Sequence, residues 1–317
     1  MTPVDVPLAA GLALGSAADL LLGDPIRRHP VAGFGSAAAA LERRLWRDDR
    51  LAGAGHVLLL TTAAAALGAA LERATGSRPG GRALVTAAAA WTVLGGTSLS
   101  RTAERMADAL ARGDLPGARA VLPALAGRDP SGLGAGELAR ATVESVAENT
   151  SDAAVAPLFW GAVAGVPGLL AYRAVNTLDA MVGHRSPRYE RFGWASARLD
   201  DVANWAPARI TAAVTVACAP LVGGSASGAL RAWRADGAAH PSPNAGRCEA
   251  ALAGALGLRL GGRNVYGSRV EDRPTLGSGR PPEPGDIRRA VRLSRAVWAT
   301  SAALAVAARL VRANRRR

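Results

Sequence analysis

Arg140, Glu144, Glu148 and Asp152 follow one another at steps of four. On a helix, that spacing puts one guanidinium and three carboxylates along a single face. Asn149, Thr150 and Ser151 stand beside them, and an apolar run begins directly afterwards. A solvated helix face with one ion pair would show the same letters. Like charges leading straight into an apolar segment are costly, however, and a divalent cation with oxygen ligands such as Mg²⁺ would relieve the repulsion. A second group reads Arg173, Asn176, Asp179, then Gly183-His184-Arg185, and a third reads Arg198-Leu199-Asp200-Asp201, with Asn204, Trp205 and Arg209 following. Paired aspartates beside arginines suit a metal-phosphate site, since arginine grips phosphate in bidentate fashion. Trp205 and Arg209 also suit the bland roles of interfacial anchor and snorkelling cation.

Two histidine-proline loops complete the set: Asp24-Pro25-Ile26-Arg27-Arg28-His29-Pro30, and His240-Pro241-Ser242-Pro243-Asn244-Ala245-Gly246-Arg247. Prolines at this density fix the backbone and hold polar side chains in place. The glycine-rich run Gly261–Gly267 reads either as a phosphate-cradling turn or as a linker. Every basic residue is arginine, and lysine is absent. That excludes Schiff-base chemistry, a phosphate-binding GK[ST] loop and a lysine base. Proton transfer therefore falls to Asp, Glu, His or Tyr.

These groups need elements to hold them. The 317 residues carry a formal charge of +13, 49% apolar side chains and only 4% aromatics. Alanine, leucine, valine and glycine dominate, which suits closely packed helices. Five or six stretches approach the roughly 20 apolar residues of a spanning helix: 6–22, 57–71, 83–99, 153–175, 205–222 and 296–311. Arginines flank these runs and fill the tail, with no basic stripe interleaved with aromatics, so the charge points to a bilayer rather than to nucleic acid. No basic stretch precedes the first run, which reads as an anchor rather than a cleaved signal. The expectation is one integral membrane domain over 1–317, all-α and polytopic, with polar loops forming a site at the membrane edge. Arginines in 23–56 and 100–152 place both segments in the cytoplasm, with 73–82 outside. Pro157, Gly161, Gly165, Pro167 and Gly168 break the run 153–175. It either crosses, leaving 176–204 outside, or re-enters, leaving 176–204 inside; such a backbone survives at membrane depth only when buried in protein or beside water. Two cysteines support neither a disulfide framework nor a zinc site.

The motifs themselves are similar to a known family. Glu144-Ser-Val-Ala-Glu-Asn-Thr-Ser-Asp152, Ala156-Pro-Leu-Phe159, Asn176-Thr-Leu-Asp-Ala-Met-Val-Gly183, Phe192-Gly-Trp-Ala-Ser-Ala-Arg-Leu-Asp-Asp201, His240-Pro-Ser-Pro-Asn-Ala-Gly246 and Leu22-Gly-Asp-Pro25 with His29-Pro30 resemble the CobD/CbiB family of cobalamin biosynthesis. The likeness runs in order along nearly the whole chain. His184 stands where that family more often carries tyrosine, and Arg247-Cys248 departs from its usual text.

The resemblance implies a multi-pass cell-membrane enzyme of the adenosylcobinamide-phosphate synthase type. Such enzymes join adenosylcobyric acid to 1-amino-2-propanol O-phosphate in an ATP-dependent, Mg²⁺-assisted amide ligation, with other late cobalamin-pathway enzymes as possible partners. Carboxylate activation by phosphorylation needs charge neutralisation, and attack needs a neutral amine, hence a base. On that footing Glu144, Glu148, His29 and His240 are the expected catalytic groups. Arg173, Asn176, Asp179, Arg185, Arg198, Asn244 and Arg247 bind substrate or phosphate, and Asp152, Asp200 and Asp201 hold the metal. The rival function is a membrane transporter of a corrinoid or other anionic solute, which would place its polar residues mid-span rather than at span ends. A scaffold for late cobalamin enzymes would need no catalytic carboxylates at all.

Overall fold

Gly11 and Gly15 stand four apart on the first apolar run, the small-xxx-small pattern that lets helices approach closely in lipid. In the computed structural model, which describes residues 5–24, 29–184, 186–266 and 269–315, they do so. A Cβ on Gly11 would lie 2.4 Å from that of Thr86, and one on Gly15 2.5 Å from that of Ala90. The first helix, α1 (Asp5–Leu22), therefore packs along α4 (Pro79–Val93). Between them run α2 (Pro30–Leu45) and α3 (Arg50–Ala74), and beyond them α5 (Gly96–Ala111), α6 (Leu115–Val121), α7 (Ala135–Thr150) and α8 (Ala156–Leu178). The chain continues through α9 (Trp194–Ala203), α10 (Trp205–Cys218), α11 (Ala226–Asp236), α12 (Ala245–Leu256), the antiparallel hairpin β1 (Leu260–Tyr266) and β2 (Arg269–Leu276), and α13 (Pro284–Arg315). Among the described residues, the protein is all-α apart from this hairpin. Six helical stretches among the described residues are long and apolar enough to cross a bilayer: Asp5–Leu22, Arg50–Ala74, Pro79–Ala111, Ala135–Gly183, Trp205–Val222 and Pro284–Arg315.

The chain divides into two units. The first comprises residues 1–95, 156–204 and 302–317. Its α1, α3 and α4 turn leucines such as Leu14, Leu58 and Leu84 outward, as a lipid-facing surface requires. Inside, Arg309 and Asp5 form a buried ion pair at 2.7 Å, and Arg309 also donates to the Gly161 carbonyl. The apolar run 153–175 is not one continuous crossing helix. At Gly165 the backbone turns to φ 67°, ψ −146° and the chain reverses. A Cβ on Gly161 would then meet Leu169, and one on Gly168 would lie 2.3 Å from the Trp160 carbonyl. The reversal frees backbone groups, and Glu72 of α3 accepts the Val166 N–H at 2.9 Å. The first arm, residues 156–164, is about 13 Å long, well short of a hydrocarbon core of about 30 Å. The second arm runs back along α3, from Glu72 and Gly68 toward Val57, packed against Leu178, and Gly53, packed against Phe192.

The second unit comprises residues 96–155 and 205–301. Its core is a continuous apolar cluster, with Met106, Leu122, Leu138, Leu258, Leu276 and Leu293 fully buried. The run Gly261–Gly267, which reads as a turn or a linker, supplies β1 instead. Gly261 and Gly262 carry φ of 84° and 85° at an irregularity in the register, and a Cβ on Gly261 would lie 2.0 Å from the Pro274 carbonyl.

Candidate functional site

In the second unit the polar groups converge from several elements. Glu144, on α7, is buried; one oxygen pairs with Arg128 and the other accepts the Gly261 N–H at 2.8 Å. Arg128 reaches it from the loop after α6, a loop tied to α7 by Ser145 Oγ donating to the Leu125 carbonyl at 2.6 Å. Arg140 spends its fork on the Gly261 and Arg263 carbonyls, so α7 grips the root of the hairpin. Glu148, one turn on, is exposed and feels Arg273, Arg128 and Glu144. Asp152 follows where α7 ends at Thr150 and Ser151–Val155 form a π turn packed on α10. Such turns place one side chain off the α-helical register and recur at functional sites.

From the other side comes α12. Glu249 is buried with its carboxylate 3.8 Å from His240 Nε2. Burial, then the neighbouring Glu144 and Glu148, push its carboxyl well above the usual carboxylate range, against the pull of Arg273 and Arg128. Burial also pushes the Cys248 thiol up, with Asp152 and Glu148 adding to the effect. His240 Nδ1 accepts the Ser242 N–H at 3.0 Å, and its Nε2 lies 2.8 Å from Arg273 of β2. Both neighbours are donors. The ring has one lone pair to offer in its neutral form, and that pair is already claimed. Asn244 stands just before the first turn of α12, and Arg247 stands within that turn.

The remaining expected residues belong to the first unit. Arg173 donates through Nε at 2.9 Å, and through Nη2, to the Val93 carbonyl at the end of α4; its Nη1 reaches Asn176 at 3.2 Å. Two of its nitrogens thus serve a helix C-terminus. Asp179 opens a second π turn, Asp179–Gly183, and lies against Gly183 so closely that no Cβ would fit there. Asp200 accepts from Asn204 at 3.0 Å, and Asn204 from Tyr172 at 2.9 Å, giving a hydrogen-bonded chain. Asp201 pairs with the exposed Arg198 at 3.4 Å; burial raises its carboxyl and Arg198 lowers it. His29 caps α2, its Nδ1 accepting the Val31 N–H at 3.1 Å, the same local geometry as His240. His184 stacks edge-on against Tyr189. Arg185, like Arg27 and Arg28, lies outside the described residues.

Spacing brings Glu144, Glu148, Asp152, His240, Asn244 and Arg247 into one unit, but it passes over Arg128, Glu249 and Arg273. Glu249 carried a signal: it is the lone acid in the alanine-rich stretch Cys248–Leu256. Arg128 and Arg273 sit in polar loop-like text that offers none. Among the described residues, no group of three or more His, Cys, Asp or Glu is arranged to hold a metal ion. A protein-only cage is therefore not what this donor set provides. Mg²⁺ more often takes one or two carboxylates and completes its shell with water and substrate phosphates, and the half-buried Asp152 fits that lesser role.

The family model described as CobD/Cbib protein matches residues 12–294. A "Cobalamin biosynthesis protein CobD" of Mycobacterium tuberculosis is 58% identical over 299 residues, covering 94% of this chain and 95% of its own length. Proteins of the same description from Geobacter metallireducens and Rhodobacter capsulatus are 48% identical over 270 residues and 42% over 302. These cover 83% and 92% of this chain, and 85% and 94% of the relatives. No solved structure matches.

Proposed function

This chain belongs to the CobD/CbiB family of cobalamin biosynthesis, and from that premise we propose that it is an adenosylcobinamide-phosphate synthase. It joins the propionate carboxylate of adenosylcobyric acid to the amine of 1-amino-2-propanol O-phosphate, with ATP as co-substrate. The observation that supports this reading is the site of the second unit, where Glu144, Glu148, Glu249, Arg128, Arg273 and His240 gather from α7, α12, β2 and two loops. In the first step the substrate carboxylate attacks the terminal phosphorus of ATP, releasing ADP and giving an acyl phosphate. The amine then attacks the acyl carbon, expelling inorganic phosphate and losing one proton. Asp152 would hold Mg²⁺ at this site, and the ion would supply charge neutralisation for the phosphoryl oxygens; Asp200 and Asp201 belong to the first unit, where they meet Asn204 and Arg198.

The chain's own groups divide the remaining work. Arg128 and Arg273 supply fixed positive charge, Arg128 oriented by Glu144 and Arg273 set beside His240. Glu148 is the accessible carboxylate and takes the ammonium proton. His29 and His240, with Nδ1 engaged by backbone N–H groups, position their loops instead. The site faces the cytoplasm, where ATP is available. The test is reconstitution of the purified protein with the corrinoid acid, the amine phosphate and Mg-ATP, with mass detection of the amide. Amide formation that needs all three reactants is expected; its absence, with corrinoid instead crossing the vesicle membrane, would favour a transporter.

A further inference from the structure

Arg209 and Arg247 lie near one another in the second unit, with no carboxylate paired to either among the described residues. Arg209, one turn into α10, lies over the Trp205 ring at 4.2 Å. Its Nη1 is 2.7 Å from the Trp205 carbonyl and 3.5 Å from Asn244 Oδ1. Arg247 follows Asn244 by three residues in the first turn of α12, its side chain laid against Gly237. Arg209 reaches Asn244, three residues before Arg247 at the start of α12, so the two positive charges lie near one another. Both are half-buried, and Arg247 Nε is buried with no acceptor among the described residues. Like charges held together in such surroundings repel. A dianion between them would turn the repulsion into two charge-assisted forks, and the N-terminus of α12 adds a favourable field.

We propose that Arg209 and Arg247 grip the phosphate monoester of the amine substrate, and so select the phosphorylated amino alcohol over the free one. This rests on the ligase reading above. Charge decides among phosphates. A monoester dianion matches two guanidiniums, whereas the phosphates of ATP arrive with Mg²⁺, whose charge would add to the repulsion. A lipid phosphodiester brings only one negative charge.

The experiment has two arms, both on the full-length protein purified in detergent. In the first, inorganic phosphate is titrated calorimetrically into wild type, Arg209→Gln and Arg247→Gln. Loss of a charged hydrogen-bonding partner should weaken binding about 10- to 100-fold in each. Arg247→Lys keeps the charge without the fork and should fall between, which guards against a variant that merely misfolds. In the second arm, KM for the amine phosphate should rise by a similar factor while KM for ATP stays put. The preference for phosphorylated over free amino alcohol should collapse toward one. Equal phosphate affinity in wild type and variants would overturn the proposal, as would a rise in KM for ATP alone. Intact phosphate binding with loss of co-purified anionic lipid would assign the pair to lipid and also overturn it. If no amide forms under any condition but the variants lose phosphate, the anion site stands and the ligase reading falls.

Discussion

Glu249 sits in an alanine-rich helix with its carboxyl toward His240, and burial with two neighbouring glutamates raises its proton affinity. A carboxyl raised in the folded state binds its proton more tightly folded than unfolded. Its contribution to stability is therefore complete below the ordinary value of about 4.3 and is lost as pH rises through the folded value. Glu249→Gln keeps the shape and removes the titration, so thermal scans should show wild type losing stability relative to the variant across that window. Parallel curves would contradict the assignment. The same surroundings hold the Cys248 thiol up, and with Cys248 and Cys218 both buried the native protein should resist alkylation at neutral pH. For catalysis, Glu148→Gln should lower turnover about 100- to 10,000-fold, the usual worth of a general base. His29→Gln and His240→Gln should keep the wild-type pH profile, since neither ring has a free lone pair to lend. A profile that shifts in a histidine variant instead would move the base away from Glu148.

The second helical arm depends on one glycine and one carboxylate. Gly165 adopts a positive φ, and a Cβ there would lie 2.4 Å from Glu72 Oε1. Gly165→Ala should therefore cost at least the roughly 1–2 kcal/mol of a left-handed residue, more if Glu72 is displaced. Glu72→Ala leaves the Val166 N–H without its acceptor, at about 1–3 kcal/mol, whereas Glu72→Gln keeps an acceptor and should be milder. Apparent melting temperatures in one detergent rank the three, and a Gln variant as unstable as the Ala variant would refute the capping role. This element also shows what the sequence discloses. Prolines and glycines at 157–168 announce a break, because they cannot sustain the helix ladder, but not whether the chain bends or reverses; that follows from which glycines lie bare against which carbonyls. The apolar spans were legible as runs, since length and hydropathy are one-dimensional, and their caps moved the ends: the run 57–71 lies inside Arg50–Ala74, whose start Asp49 caps. The steps of four do not disclose the π turn at Ser151–Val155, because the extra residue in such a turn leaves no mark in the text. The hairpin root was invisible for a related reason. Its two glycines serve contacts with Arg140 and Glu144 more than a hundred residues away in sequence.

Within the first unit, the route of the chain fixes which loops share an end. The helix α3 is about 38 Å long, enough to cross the bilayer, with Gly53 against Phe192 near its start and Glu72 against the Gly165 reversal near its end. The second arm and the π turn return along it, so residues 186–193 come back to the end where α3 begins. Contacts there agree: Arg188 pairs with Glu42 at 3.0 Å and lies over the Trp46 ring, and Trp46 donates to the Arg188 carbonyl. Of the two routes open to the apolar run 153–175, this geometry selects the one that returns the polar segment to the arginine-rich side, which the positive-inside rule assigns to the cytoplasm. Single cysteines at Asp48, Glu190 and Ser77 test it, because the two native thiols are buried and stay silent. In inside-out vesicles, an impermeant maleimide should label positions 48 and 190 and spare 77. Labelling of 190 together with 77 would mean that the chain crosses at 153–175 after all, and the reversal at Gly165 would then be wrong.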